Sequence, residues 1–413
     1  MTFNKVLCGL LVSMFFVLST NVYAVSQWSR KYGVSCTTCH TPAFPRLNYK
    51  GEKFQLNGYQ DVGKQDGDTT GKQAIGKEGA PKRLFIDELQ NFFGVRLNVV
   101  PVKVQWPGTR VNFGNPNWAQ FFTAGSIFKN VSIWIETELT TTSPSAAALK
   151  HAWFRMGFHN LFDTQLLNMW VGVLDPLELH ATSGRLPMIP AIEQEVFRVQ
   201  SSGGNGEDSV DLRGGKPAIV LYGSSGAFVY SVGIDNGKAL SDVNTSKNYF
   251  GTLKAQVTDG AFEGSAVSLF GYTGKDTKWI TSTTLAENNF WRISPAVNLR
   301  WNDWDMLAAF VYGSDSNWTI ATNAGDKKTF YGMMLQAGYP LSDEFYAAAQ
   351  YDGVWLSDGP TTSDISKIGF ALSYQPRENW RIMLVPRADI LPVNTTTHTK
   401  ASHDFQVMIR TMF

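Results

Sequence analysis

Five consecutive residues, Cys36-Thr37-Thr38-Cys39-His40, could do chemistry that nothing else in the chain suggests. The pattern C-x-x-C-H is the attachment signature of a c-type haem. Its two thiols add to the haem vinyl groups, and the adjacent imidazole binds the iron from one side. The two-residue gap matters because it sets the sulfurs at the separation of the two vinyls. The same spacing also fits half of a zinc site, a redox dithiol or a chance coincidence. A four-ligand zinc site needs a second pair of Cys or His, and the sequence has no such pair. A thioredoxin-like dithiol belongs beside a βαβ pattern, which is absent. The spacing therefore predicts one covalently bound haem c, held by Cys36 and Cys39, with His40 as the axial ligand.

The elements around this motif must position it. Residues 1–24 read as a secretory signal peptide: Lys5 is basic, Val6 to Leu18 is apolar, and Val22-Tyr23-Ala24 is a small-x-small cleavage site. The apolar run is too short to span a membrane as a helix. Cys8 leaves with it, so no structural disulfide competes for Cys36 and Cys39. Residues 25–82 then read as a small haem-bearing unit with a polar linker rich in Gly, Lys, Asp and Gln from Asp61 to Lys82. A unit of that size buries a haem poorly by itself. It has no Met, and no His beyond His40, so a sixth iron ligand is expected from the rest of the chain. The unit is expected to dock inside or against something larger.

That larger part, residues 83–413, alternates with period two, the mark of strands. Val131, Ile133, Ile135, Thr137 and Leu139 share one face, opposite Ser132, Trp134, Glu136 and Glu138. The chain closes with Phe405, Val407, Ile409, Thr411 and Phe413 on one face. Strands are expected near 84–100, 117–124, 129–140, 149–158, 165–175, 211–222, 227–236, 247–258, 263–273, 289–300, 303–313, 328–339, 343–354, 365–375, 379–389 and 403–413. Connections alternate long and short, as in outer-membrane barrels with short periplasmic turns and long outer loops. Phe413 ends an amphipathic strand, and Trp and Tyr recur near strand ends in the manner of aromatic girdles. The expected fold is an all-β, transmembrane antiparallel β-barrel of about 16 strands with the N-terminal haem domain as its plug. The net charge of +1 leaves no nucleic-acid footprint, and no phosphate loop or catalytic triad stands out.

The first unit resembles the fused monohaem cytochrome c–porins of bacterial outer membranes, the outer-membrane iron-oxidase cytochromes. The matching residues are Trp28-Ser29-Arg30, the C-x-x-C-H run, Phe44-Pro45, Leu47-Asn48, Gly51, Phe54 and Gly58-Tyr59. The family pattern has an aromatic-small-Arg step before the motif and Pro-x-Leu-Asn-x-x-Gly-x-x-Phe after it. Trp28 stands where Phe is more usual, and Glu52 where Arg often stands. The local match covers about the first 40 mature residues, and the remainder matches in architecture and length. The resemblance implies an iron(II):cytochrome c oxidoreductase of the outer membrane. Extracellular Fe(II) would be its donor, a periplasmic c-type cytochrome its acceptor, and the haem domain would lie inside the barrel or at its periplasmic side. Two other readings follow from a plugged barrel: an electron conduit for a different donor or acceptor, and a diffusion porin with a haem-containing gate or sensor. Porin-like barrels are often trimers, so a homo-oligomer is compatible.

For the sixth ligand, parity points to His151, and the longest loop offers His180 and Met188. Met383 shares a face with Arg381 and Arg387. A Met ligand raises the potential toward that needed to accept electrons from iron. His159, His398 and His403 fall in turns, loops or strand ends. Arg96, Glu136, Glu138, Lys367, Arg381 and Arg387 are expected on the luminal wall, where Arg could bind haem propionates. Asp175, Glu178, Glu193, Glu195, Glu207, Asp208 and Asp211 make the longest loop acidic, and hard carboxylate oxygens attract metal cations.

Overall fold

The computed structural model describes residues 27–60, 72–75, 84–87, 91–108, 110–114, 117–128, 130–143, 146–181, 186–199, 212–237, 246–281, 284–320, 325–356, 364–390 and 402–412. The signal segment, Phe413, His398, and Glu207, Asp208 and Asp211 of the acidic loop lie outside these residues.

Two short helices come first, α1 (Gln27–Tyr32) and α2 (Tyr49–Leu56). A small hairpin of β1 (Lys72–Ile75) and β2 (Leu84–Asp87) follows. The barrel strands are β3 (Phe93–Trp106), β4 (Arg110–Phe113), β5 (Trp118–Phe128), β6 (Val131–Ser143), β7 (Ala146–Phe158), β8 (Asn168–Leu174), β9 (Lys216–Ser225), β10 (Phe228–Asp235) and β11 (Asn248–Gln256). They continue with β12 (Ala266–Trp279), β13 (Leu285–Trp301), β14 (Trp304–Asp315), β15 (Lys328–Pro340), β16 (Phe345–Leu356), β17 (Ile365–Arg377), β18 (Trp380–Asp389) and β19 (His403–Met412). All are antiparallel to their neighbours, and β19 pairs with β3 to close the sheet. β4 and β5 lie end to end along β3, which pairs with β4 through Val102–Gln105 and with β5 through Phe93–Asn98. They share one strand position, so the barrel has sixteen.

Three expectations change in detail. The strand expected at 84–100 is instead a separate short strand, β2, and a barrel strand that begins at Phe93. The long loop expected at 101–116 is a protruding hairpin, because β3 runs on to Trp106 and pairs with β4. The loop expected at 274–288 shrinks to 280–284, since β12 and β13 pair as far as Trp279 and Leu285. In the last two cases the strands keep pairing beyond the point where the alternation of apolar side chains stops being informative; at 274–279 they do so with Gly, Lys and Asp, so the ladder and not residue preference extends them.

Alternation sets the two faces. Along β13 every second residue is buried, from Ala286 through Phe290, Arg292 and Ser294 to Asn298, while Trp291, Ile293, Val297 and Leu299 face outward. The same outward belt continues with Leu253, Val267, Leu269, Phe310, Tyr331 and Phe370. Short connections gather at one end; the turn between β13 and β14 is only Asn302 and Asp303, with Asn302 at φ 50°. Among the described residues no helix is long and apolar enough to cross a membrane.

Among the described residues, two segments fill part of the lumen. The connection after β8 folds inward, where Leu177, Leu179, Val196 and Phe197 pack against Phe250, Phe270, Tyr272 and Phe330 on the wall. Residues 27–60 stand beneath it, tied to strands on every side. Arg46 Nε donates to Asp305 Oδ2 of β14 at 2.6 Å, and its Nη2 donates to Asn298 Oδ1 of β13 at 2.7 Å. Glu52 meets Lys254 of β11 at 2.7 Å. Gln55 donates to Glu178 of the inward connection, and Tyr59 is hydrogen-bonded to Arg155 of β7. Ser35 Oγ and the Cys36 N–H both donate to the Glu378 carboxylate, each at 2.7 Å. Glu378 lies in the short turn between β17 and β18, so the helical segment sits toward the short-turn end.

Candidate cofactor site

The C-x-x-C-H run forms a single tight turn, with His40 N–H donating to Cys36 O at 3.0 Å. Asn48 holds this turn from outside. Its Oδ1 accepts from Gly51 N at 2.9 Å, capping α2, while its Nδ2 donates to Thr37 O at 3.0 Å and Thr38 O at 3.1 Å. Gly51 lets α2 lie directly on the turn, since a Cβ there would stand 2.0 Å from Cys39 O. The Leu-Asn-x-x-Gly pattern is thus a clamp on the cysteine turn.

His40 is prepared as a ligand. Its Nδ1–H donates to Pro45 O at 2.9 Å, which leaves Nε2 with its lone pair free for a metal. Burial within the protein pushes the imidazole down to about 4, so it is neutral at ordinary pH. What surface His40 retains faces a cavity. The two cysteines are not joined in a disulfide. Burial, and then the Glu378 charge, push Cys36 up to about 11. A redox-active dithiol needs a depressed value, so this environment argues against one.

The cavity has a volume of about 410 Å³, within the roughly 300–1,000 Å³ of ligand sites. Cys39, His40, Phe44, Leu47, Phe54 and Tyr59 line it from the helical segment. Arg96, Gln120, Trp134, Glu136, Glu138 and Trp153 line it from the barrel wall, and Glu178, Pro187, Pro190 and Glu193 from the inward connection. Arg410 and Met412 line it from β19. Trp28 stacks on Tyr59 with centroids 4.8 Å apart, and Trp134 lies 5.5 Å from Tyr59, giving a mostly aromatic side. Cys36 faces a smaller adjoining cavity that shares Phe44, Arg410 and Met412 with the first.

Two arginines beside the cavity lack a counter-charge among the described residues. Arg381 and Arg410 stand directly opposite each other across β18 and β19. Arg381 spends its N–H groups on Phe44 O at 2.6 Å and Pro42 O at 3.1 Å. Arg410 Nε donates to Asn98 Oδ1 at 2.7 Å, but its Nη1 is buried without a hydrogen-bond partner. Among the described residues neither guanidinium has a carboxylate within ion-pair distance. Like charges opposite one another cost free energy, and an unpaired buried charge costs more. This arrangement fits a ligand that brings anionic oxygens to the cavity, as haem propionates do.

The sequence candidates for a sixth ligand scatter. His151 is the extra residue of a bulge in β7 opposite β6; its side chain lies outside the described residues. His180 hydrogen-bonds Ser268 Oγ at 3.0 Å and Ser294 Oγ at 3.1 Å through its two ring nitrogens, off the cavity wall. Met188 and Met383 are buried in an apolar cluster with Ala43, Ile189, Val385 and Met408, also off the wall. His159 has both nitrogens engaged, by Ser132 at 2.7 Å and Tyr222 at 2.8 Å, and His403 opens β19 at its far end. Of the six luminal charges, Arg96, Glu136 and Glu138 reach the cavity. Arg381 grips the helical segment, while Arg387 and Lys367 hold the inward connection through Ala191 O and Glu195.

Three of the described loop carboxylates are ion-paired: Glu178 with Arg155 of β7 at 2.8 Å, Glu195 with Lys367 of β17 at 2.7 Å, and Glu193 with Arg213. No group of three or more His, Cys, Asp or Glu among the described residues is placed to hold a metal ion. Glu52, which departs from the family pattern, is matched by its surroundings. Burial alone would raise its carboxyl, but Lys254 and Arg300 outweigh this and hold it below the usual range.

No protein-family profile matches the chain, and no curated protein matches it by sequence. Solved structures do. The chain is similar to an OmpF of Salmonella typhi in complex with daunomycin, at 12% identity and a TM-score of 0.56, over 83% of this chain and 100% of that one. It is similar to an anion-selective porin from Comamonas acidovorans, at 12% identity and a TM-score of 0.55, over 78% and 98%. A third is the outer-membrane channel DcaP of Acinetobacter baumannii, at 10% identity and a TM-score of 0.51, over 78% and 95%. At these identities the likeness establishes a porin-type barrel fold.

Proposed function

We propose that this chain is an outer-membrane electron-transfer protein, in which the barrel spans the membrane and residues 27–60 carry one haem c within its lumen. Cys36 and Cys39 hold the haem covalently, His40 Nε2 binds its iron, and Arg410 with Arg96 meets its propionates. When bound, the haem supplies one-electron redox chemistry. The observation that carries this reading is the cavity of about 410 Å³ with Cys39 and His40 on one wall and the unneutralised Arg410 on another. Extracellular Fe(II) is the proposed donor and a periplasmic c-type cytochrome the acceptor. A hydrocarbon layer about 25 Å tall separates the two sides, and a redox centre in the lumen shortens the gap. The position of Glu378, in a short turn beside Cys36, supports an acceptor that approaches from the short-turn end.

The barrel fold itself favours a second reading, a solute channel. Against it stand the inward connection and the helical segment, which cross the lumen and are bonded to its walls.

The test begins with covalent haem on a denaturing gel. The mature protein retains it, and Cys36→Ser with Cys39→Ser removes it. Anaerobic stopped-flow mixing with Fe(II) then shows reduced-haem bands. A protein without covalent haem that conducts ions in planar bilayers sinks the electron-transfer reading and leaves the channel. A haem-bearing protein that stays oxidised in excess Fe(II) refutes the donor, not the haem.

A further inference from the structure

We infer that Met412, on the last strand, is the sixth ligand of the iron; this rests on the haem reading above. Among the described residues, Met412 is the one Met on the cavity wall, and His40 the one His. It also lines the smaller cavity into which Cys36 faces, so it stands where both thiols and the imidazole converge. The alternation of β19 turns Gln406, Met408 and Arg410 inward and puts Met412 in the same row, two residues beyond the guanidinium assigned to a propionate.

Its backbone is fixed. Met412 N–H donates to Asn379 O at 2.9 Å, and Asn379 Nδ2 donates back to Met412 O at 3.2 Å. Across the seam it pairs with Arg96 of β3. His159 and His180 have their ring nitrogens engaged, and His403 stands at the far end of its strand. Met188, Met334, Met383 and Met408 lie in apolar packing, and Met156, Met169, Met306 and Met333 fall in the outward rows of their strands. A thioether is neutral and soft, so it ligates without adding charge beside Arg96, Arg381 and Arg410, and it raises the potential of a c-type haem.

The experiment uses the whole mature protein in detergent. The ferric wild-type protein shows the weak red-region band of sulfur-ligated iron, and the ferrous protein, labelled with 13C-methyl methionine, shows one methyl signal shifted strongly upfield by the haem ring. Met412→Leu loses both signals, lowers the midpoint potential and binds imidazole more than tenfold tighter. Met412→His restores a six-coordinate spectrum without the sulfur band. The gel shift between heated and unheated samples verifies that each variant forms a barrel. If the wild type lacks the sulfur band, or Met412→Leu keeps it, the assignment is overturned while the haem reading stands. If the wild type holds no covalent haem, both fall.

Discussion

Gly51→Ala tests whether the cysteine turn is held by a backbone contact. The added Cβ would stand 2.0 Å from Cys39 O, 2.9 Å from Cys39 C and 3.1 Å from a Leu47 methyl. Backbone cannot swing away as a side-chain tip can. To reach a contact of 3.0 Å, α2 and the turn must separate by about 1 Å. Three hydrogen bonds from Asn48 to the turn stretch with them: its N–H to Cys39 O at 3.0 Å, and its Nδ2 to Thr37 O at 3.0 Å and to Thr38 O at 3.1 Å. At about 1 kcal/mol each, their loss and the residual overpacking put the cost at about 2–4 kcal/mol. At 1.36 kcal/mol per decade, that shifts the equilibrium for opening of the helical segment roughly 30- to 1,000-fold. The assay is tryptic release of residues 27–60 from folded, detergent-solubilised barrel, alongside haem loading. Gly271→Ala is the control, since its Cβ would meet nothing within 4 Å. If Gly51→Ala loads haem and resists trypsin as the wild type does, the clamp argument is wrong.

Four further outcomes are expected. Arg46→Ala leaves buried Asp305 with only Arg300, at 3.9 Å, as a counter-charge, costs about 3 kcal/mol, and speeds proteolysis of the helical segment; adding Asp305→Asn recovers part of the loss. Arg410→Gln removes an uncompensated cation, so in thermal gel-shift assays the haem-free barrel melts no lower than wild type, while the haem-loaded barrel melts lower and has a lower midpoint potential. Acid weakens the haem-free packing: His40 and His180 are held at about 4 and about 3 by burial, against 6.5 when unfolded. The unfolded state therefore binds more protons between these values, so stability is complete above pH 6.5 and falls as the pH drops toward 4 and then 3. A flat stability profile across that window contradicts their burial as neutral rings. Finally, the full chain passes little current in planar bilayers, and removing residues 27–60 raises it; equal conductance shows that the helical segment does not close the lumen.

The barrel was readable because one physical rule governs it. A strand with one face in lipid and the other in a lumen must alternate, and β14 to β19 fell within two residues of their expected limits. β4 is exposed along its whole length, and the ends of β12 and β13 carry polar residues on both faces, as in Lys275-Asp276-Thr277-Lys278 and Glu287-Asn288-Asn289, which is why these stretches were read as loops. The cysteine turn was equally legible, since covalent spacing is local. The far side of the cavity was not. Arg410 and Met412 sit in the row opposite Val407, Ile409 and Thr411, so parity already placed them in the lumen. What parity lacks is height and azimuth around the barrel, and those decide which inward residue meets His40. His180 and Met188 looked suitable because their loop turns inward, but hydrogen bonds and apolar packing commit them elsewhere.

The cavity is built across the one seam of the sheet that joins the two ends of the chain. Arg96 belongs to the first barrel strand, Arg410 and Met412 to the last, and Met412 stands in register with Arg96. Every other strand pair is local in sequence, so this pairing carries the largest loop-closure entropy in the fold. A group bridging the helical segment, β3 and β19 would act as a rivet through that joint. Because residues 27–60 precede the barrel and end up enclosed by it, such a group has to be in place before the first and last strands meet. On the proposed reading, attachment would come first, then insertion, then closure. A chain without such a group would close that joint on the pairing of β3 with β19 alone.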